Sequence, residues 1–316
     1  MTTKINLLAV SLFLPVFIFA QNVIPEPAQY RPAKGEFVLS IAENKALETN
    51  NVLPSRVVQR IVPDCTTGAD EAYRLEITPD SVFIQSATVT GAFRGEETLK
   101  QLLRSGKGTT SACVINDAPR YSWRGFMLDE SRHFFGKEKV KQLLDIMASL
   151  RLNVFHWHLT DEPGWRIEIK KYPLLTKVGS KGNYHDPSAP AAFYTHEDIK
   201  DIVAYAAARH IMIVPEFDMP GHATAACRAY PELSGGGEGR WKDFTFHPCK
   251  EETFRFISDV QECSGFQPGK VPHCRGPVIQ LPDGPGPAPC SALRVTAYDA
   301  EFCRVLRQGS SPHPVA

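Results

Sequence analysis

Thirteen consecutive residues, Asn153 to Trp165 (NVFHWHLTDEPGW), hold two histidines, two acids and two tryptophans. Imidazole beside carboxylate is a combination that moves protons near neutral pH, because histidine titrates there and an acid partner decides which ring nitrogen carries the proton. A second cluster, Glu216 to His222 (EFDMPGH), places acids and a histidine around a Pro220-Gly221 turn. A carboxylate accepting from one ring nitrogen of His222 fixes its tautomer and leaves the other nitrogen to contact a third group.

Such groups need elements that bring them to one mouth. From Ser122 onward the chain alternates strand and helix. Gly125–Asp129 is a short apolar run ending in an acid, and Lys137 to Leu150 sets Val140, Leu143, Leu144, Met147 and Leu150 on one helical face. Asn153 to Leu159 is the next strand, on which Val154, His156 and His158 share one face and Phe155, Trp157 and Leu159 the other. Thr195 with Asp198 opens a helix as a capping box, Ile211 to Phe217 is a third buried strand, and Glu251 to Val260 reads as a third helix. Three βα units in series, each strand closing on a polar residue (Asp129, Asp161, Asp218), predict an α/β fold of the (β/α)₈ TIM-barrel type. It is incomplete at about three units, and its site lies at the carboxyl ends of the strands.

Upstream, Tyr73, Leu75 and Ile77 alternate with polar residues, Pro79-Asp80-Ser81 turns the chain, and Val82 and Ile84 alternate again, which predicts a hairpin. A helix over Ala92 to Leu103 follows. Together they predict a small α+β domain over residues 21–111 ahead of a barrel segment over 122–260. In the first twenty residues, Lys4 precedes an apolar run from Leu7 to Phe19 closed by Ala20, the pattern of a secretory signal peptide. It implies export to the periplasm or the extracellular space, with no membrane span after its removal.

The 316 residues hold 35 lysines and arginines against 35 aspartates and glutamates, so no global field favours nucleic acid or an anionic membrane. A compact neutral ligand fits this balance better. His156, among large apolar neighbours, reads as a packed core histidine. Trp165 is either a surface anchor or a wall for a sugar ring, since aromatic faces stack on apolar sugar faces. His156, His158, Asp161 and His222 are also a donor set that suits zinc in a metal-dependent hydrolase.

Three segments carry a resemblance. RGFMLDESRHFF (124–135), LNVFHWHLTDEPGWRIEIKKYPLL (152–175) and VPEFDMPGHATAA (214–226) resemble the opening barrel segments of glycoside hydrolase family 20, the β-N-acetylhexosaminidases. IPEPAQY, the hairpin and GAFRGEETLKQLL (91–103) resemble the domain that precedes that barrel. The resemblance implies a glycan or glycoconjugate with a terminal N-acetylhexosamine as substrate and no cofactor. It implies Arg132, with Asp129 beside it, as the arginine that bonds ring hydroxyls, His158 and Trp165 as further substrate-binding residues, and Asp161 and His222 as the relay behind the acid. The implied reaction uses the substrate's own 2-acetamido oxygen as nucleophile, with retention of configuration.

In the family an Asp-Glu pair follows two glycines at the end of the fourth strand: the Asp orients the acetamido group and the Glu is the acid/base. Residues 261–316 hold no such pair and no strand–helix alternation, and are dense in Pro, Gly and Cys. The shift at Val260 has the character of translation out of frame followed by early termination; a divergent linker or cap is the other reading. Either way the chain is expected to lack its acid. A secreted, non-catalytic carbohydrate-binding or defunct fragment is therefore the alternative function.

Overall fold

The computed structural model describes residues 23–63 and 70–263. The expected signal peptide and most of the expected tail lie outside the described residues. The chain divides after Ala118 into two compact units.

In the first unit, strands β1 (Gln29–Val38), β2 (Val57–Ile61), β3 (Tyr73–Ile77), β4 (Val82–Ser86) and β5 (Thr109–Asp117) form one sheet in the order β1-β5-β3-β4-β2. β3 and β4 pair antiparallel as the expected hairpin, with Ile77 opposite Val82 and Thr78 N donating to Ser81 O across the turn at 2.9 Å. Helices α1 (Ile41–Asn50) and α2 (Val89–Ser105) accompany the sheet. Leu99, Leu102 and Leu103 of α2 join Leu75, Ile77, Val82, Ile84 and Ile115 in one buried core. α2 lies close enough on the sheet that a Cβ at Gly95 would stand 2.7 Å from Ile84 Cγ2. The unit extends beyond the expected end near Ser111 to Ala118, because β5 pairs with both β1 and β3 inside the sheet.

In the second unit, β6 (Gly125–Asp129), β7 (Val154–Thr160) and β8 (Met212–Phe217) run parallel in the order β6-β7-β8. α3 (Lys137–Ser149), α4 (His196–Ala207) and α6 (Glu251–Cys263) follow the three strands, with the short α5 (Thr224–Ala229) after β8. This is the alternating topology of a partial (β/α)₈ barrel. Phe155, Trp157, Leu159, Ile213 and Phe217 are fully buried, as are Val140 and Leu144 of α3 and Ile202 and Ala206 of α4. One rung of the sheet aligns Asp129, His158 and Glu216, which puts three polar side chains side by side near the strands' carboxyl ends.

The long connection from β7 to α4 is held by Arg166. Its guanidinium, 1% exposed, donates to the carbonyl oxygens of Glu130 (3.1 Å), Ser131 (2.9 Å), Ser180 (2.6 Å), Gly182 (2.7 Å) and Ala192 (3.3 Å). One planar fork thus satisfies five backbone acceptors and ties the loop to the end of β6.

Candidate active site

Asp161, one residue past β7, is 2% exposed and sits at the centre of the site. Its Oδ1 accepts from His222 Nδ1 at 2.9 Å and from the backbone of Glu162 at 2.6 Å. Its Oδ2 faces His158 Nε2 at 3.0 Å and pairs with Arg132 Nη1. Arg132 is anchored from behind by Asp129, which accepts from its backbone N–H (3.0 Å) and from Nη1 (2.9 Å). Nε and Nη2 of Arg132 have no partner among the described residues, so half the guanidinium fork is open to hydroxyl oxygens.

His222 reaches Asp161 because the loop after β8 is fixed at both sides. The Met219–Pro220 peptide is cis and His222 itself has left-handed backbone (φ 51°), a region histidine enters more readily than most residues. Phe246 N donates to Pro220 O at 2.9 Å, Ala223 N to Phe244 O at 2.8 Å, and the Phe244 ring packs edge-on against the imidazole. Nε2 of His222 has no protein partner among the described residues and the side chain is 41% exposed, so this nitrogen is available to a further group.

Behind this pair, His158 Nδ1 faces Glu216 Oε2 at 2.8 Å, and His156 Nε2 lies 2.6 Å from the same oxygen without hydrogen-bond alignment. Burial raises the Asp161 carboxyl, but the bonds from His158 and Glu162 and the charge of Arg132 outweigh it and leave the pKa below the usual carboxylate value. Burial acts the same way on Glu216, and His156 and His158 reverse it to about 2. For Asp218, burial prevails, and the pKa is pushed up to about 6.

Two expected substrate contacts are corrected. Trp165 is 2% exposed, donates from Nε1 to Ile167 O at 2.8 Å and packs against Phe217 and Phe256. A ring enclosed in this way is core and has no face for a sugar. His158 is 5% exposed with both ring nitrogens against carboxylates, so it braces the site and has no nitrogen left for a substrate. Glu216 had no role in the sequence reading, although strand alternation from Val214 puts it on the inner face with His158.

The zinc reading does not fit the donors. His158, Asp161 and Asp218, and separately Asp161, Glu162 and His222, bring ligand atoms within 4.8 Å of one another. Asp161 is common to both groups, and its oxygens are already taken by Arg132, His158, His222 and a backbone N–H. His156 belongs to neither group, lying instead against Glu216.

Comparisons with known proteins identify a family. The model described as glycosyl hydrolase family 20, catalytic domain, matches residues 121–276, sixteen positions past Val260, and that described as domain 2 of the same family matches residues 45–118. A β-hexosaminidase of Porphyromonas gingivalis is 41% identical over 225 residues, covering 66% of this chain and 29% of the relative. A β-N-acetylhexosaminidase of Cellulomonas fimi is 36% identical over 246 residues, covering 74% and 49%. The solved structure of a family 20 exo-β-N-acetylglucosaminidase from Vibrio harveyi, in complex with N-acetylglucosamine, superposes with a TM-score of 0.66 at 30% identity, covering 77% of this chain and 44% of that one. The chain thus spans less than half the length of these relatives. With both family models matched along it and the inner-face charges of its strands gathered around Asp161, the chain belongs to glycoside hydrolase family 20.

Proposed function

We propose that this chain carries the sugar-anchoring and relay half of a β-N-acetylhexosaminidase that removes terminal N-acetylhexosamine by substrate-assisted, retaining hydrolysis. The observation that carries the reading is the 2.9 Å bond from His222 Nδ1 to buried, ionised Asp161, which leaves Nε2 of His222 to face a catalytic acid. In the proposed reaction the acid protonates the leaving oxygen while the substrate's acetamido oxygen bonds to the anomeric carbon. Water, deprotonated by the same group, then opens the oxazolinium. Arg132 binds ring hydroxyls through its open Nε and Nη2, and Asp129 positions it.

The acid itself is not assigned to any residue of this chain. Residues 261–316 contain no adjacent Asp-Glu pair, so a second reading, a chain that holds the sugar without turning it over, is favoured for these 316 residues alone. The two are separated by assaying the chain on a chromogenic N-acetylglucosaminide beside a version in which another reading frame downstream of Val260 supplies a fourth strand ending in Asp-Glu. The completed form is expected to release N-acetylhexosamine with the β configuration retained, and to leave a substrate without the 2-acetamido group intact. An inverted first product ends the proposal.

Export is proposed on the Lys4 to Ala20 pattern. Among the described residues no helix is long and apolar enough to cross a membrane. A mature protein recovered outside the cytoplasm with an amino terminus near Gln21 is the expected result, and an intact Met1 there excludes cleavage.

A further inference from the structure

We propose that His158 is a positioning residue held as a doubly protonated imidazolium, a fixed cation between Glu216 and Asp161 that keeps Asp161 turned toward His222. The inference deepens the relay reading above, and its catalytic consequence rests on that reading; the charge state of His158 does not.

The argument is one of proton count. Nδ1 stands 2.8 Å from Glu216 Oε2 and Nε2 stands 3.0 Å from Asp161 Oδ2. A neutral imidazole has a single N–H, so either tautomer sets a lone pair against a carboxylate oxygen, in a place where the residue is only 5% exposed and solvent cannot screen the repulsion. The one competing donor is Arg132 Nη1, 3.0 Å from Nε2. Nη1 also donates to Asp129 Oδ2 at 2.9 Å and pairs as an ion with Asp161 Oδ2, so an Nε2 lone pair turned to Nη1 still stands 3.0 Å from that carboxylate oxygen. Only an imidazolium, donating from Nδ1 to Glu216 and from Nε2 to Asp161, leaves no lone pair against a carboxylate oxygen.

The surroundings have the matching charge. Glu216 faces the ring from β8 and Asp161 from the end of β7; Asp129 acts from the end of β6 and Asp218 from the loop after β8. Arg132 is the guanidinium of the group, and His156 lies against the far side of Glu216. Burial opposes a charge on His158, yet the hydrogen bonds to Asp161 and Glu216 overcome it and carry the ring to about 10. Asp161 is then held by three hydrogen-bonding partners, His158, His222 and the Glu162 backbone, and by the charge of Arg132. These fix its rotamer and keep it ionised, so His222 retains a charged acceptor while its other nitrogen acts.

The test is a nitrogen NMR measurement on the full chain labelled at its ten histidines. It is made at about pH 8, above the ordinary imidazole pKa of about 6.5. One histidine is expected to keep both ring nitrogens protonated. That signal disappears in His158→Gln, and in Glu216→Gln its titration midpoint falls by at least about one unit, a tenfold easier proton loss. If His158→Gln fails to fold, Glu216→Gln together with His156→Gln makes the assignment, because among the described histidines Glu216 touches His156 and His158, and the signal is expected to persist in His156→Gln. A spectrum at this pH without a doubly protonated histidine, or one whose titration ignores Glu216→Gln, overturns the inference. Because no turnover is measured, an imidazolium signal from a chain that proves to have no relay supports the inference and removes only the functional reading.

Discussion

The two units bury their sheets by opposite means. In the first, β3 and β4 alternate buried and half-buried side chains, and the buried set is Tyr73, Leu75, Ile77, Val82, Ile84 and Ser86. The two hydroxyls on that face are satisfied locally, Tyr73 by Thr98 and Asp117 and Ser86 by the carbonyl of Ala72. In the second, β7 has hydrocarbon on the face of Phe155, Trp157 and Leu159, while His158 on the opposite face is surrounded by acids. Hydrocarbon on a sheet stabilises by leaving water, whereas each buried ion costs desolvation that only its partners offset. The first unit is thus sensitive to lost volume and the second to a lost charge.

The largest expected effect follows from that difference. Asp161→Ala leaves Arg132 and His158 facing each other without their shared acceptor, and removing one partner from a buried ionic group typically costs about 3–5 kcal/mol. All four tryptophans, Trp123, Trp157, Trp165 and Trp241, lie in the second unit, so denaturant unfolding followed by their fluorescence reports this unit. Asp161→Asn keeps an oxygen for one neighbour and is expected to fall between wild type and Asp161→Ala. If Asp161→Ala unfolds at the wild-type midpoint, the ionic account of the second unit is wrong.

Next in size is Leu75→Ala. Leu75 is fully buried in the core of the first unit, and a leucine deleted from such a core costs about 2–5 kcal/mol through lost transfer and the cavity left behind. Amide exchange along β3 and β4 is the measurement, since the tryptophans do not report here. A loss well below this range would mean that the hairpin is held by its register more than by its apolar face.

Much of this architecture was legible because it rests on local periodicity. The hairpin, the three parallel strands and α4 with its Thr195 cap all follow from patterns within a few residues. Asp161 and His222 stood out because each sits just past a strand next to turn residues. Long-range facts were less accessible. Trp165 looked like a loop aromatic, yet Phe256, ninety-one positions away, encloses it. Glu216 sat in a quoted motif without a role, since its meaning depends on the rung it shares with His158. The buried Arg166 was invisible for the same reason: its five acceptors are backbone carbonyls from three separate stretches, and no residue type announces a carbonyl.

Titration separates the units more finely. The folded pKa of His158 is raised to about 10, so its stabilisation is complete below the unfolded value near 6.5 and is lost as pH rises through about 10. Glu216 is depressed to about 2, so its contribution is present above about 4.5 and is lost as pH falls through about 2. Asp218, raised to about 6 by burial, takes stability away as pH climbs from 3.8 to about 6. The second unit is therefore expected to weaken toward alkaline pH from about 6.5 upward. The resolved shifts of the first unit lie elsewhere: Glu43, lowered by Arg56, acts below 4.5, and Cys113, raised by burial to about 11, acts above 9. Unfolding midpoints taken between pH 6.5 and 9 should decline for tryptophan fluorescence and stay level for exchange in β3 and β4. A level tryptophan curve would contradict the charge assigned to His158.

The smallest contrast uses one motif found in both units. Ser40 caps α1 by accepting from Glu43 N at 3.3 Å while Glu43 accepts from Ser40 N at 2.7 Å; Thr195 and Asp198 do the same for α4 at 3.2 and 3.1 Å. Each cap acid also pairs with a cation, Glu43 with Arg56 and Asp198 with Lys137. Removing the cap hydroxyl costs about 0.5–2 kcal/mol in either place. What differs is how the helices are held. α4 buries Ile199, Ile202, Val203 and Ala206, whereas α1 buries Leu47 alone. A helix bound by four apolar side chains cannot loosen at its start without disturbing the packing beneath, so Thr195→Ala is expected to lower the unfolding midpoint of the whole second unit. α1 has little packing to transmit the loss, so Ser40→Ala is expected to speed amide exchange over Ile41–Asn50 while leaving β3 and β4 unchanged. Equal global losses in the two variants would show that α1 is bound to its sheet as firmly as α4, and would remove the contrast.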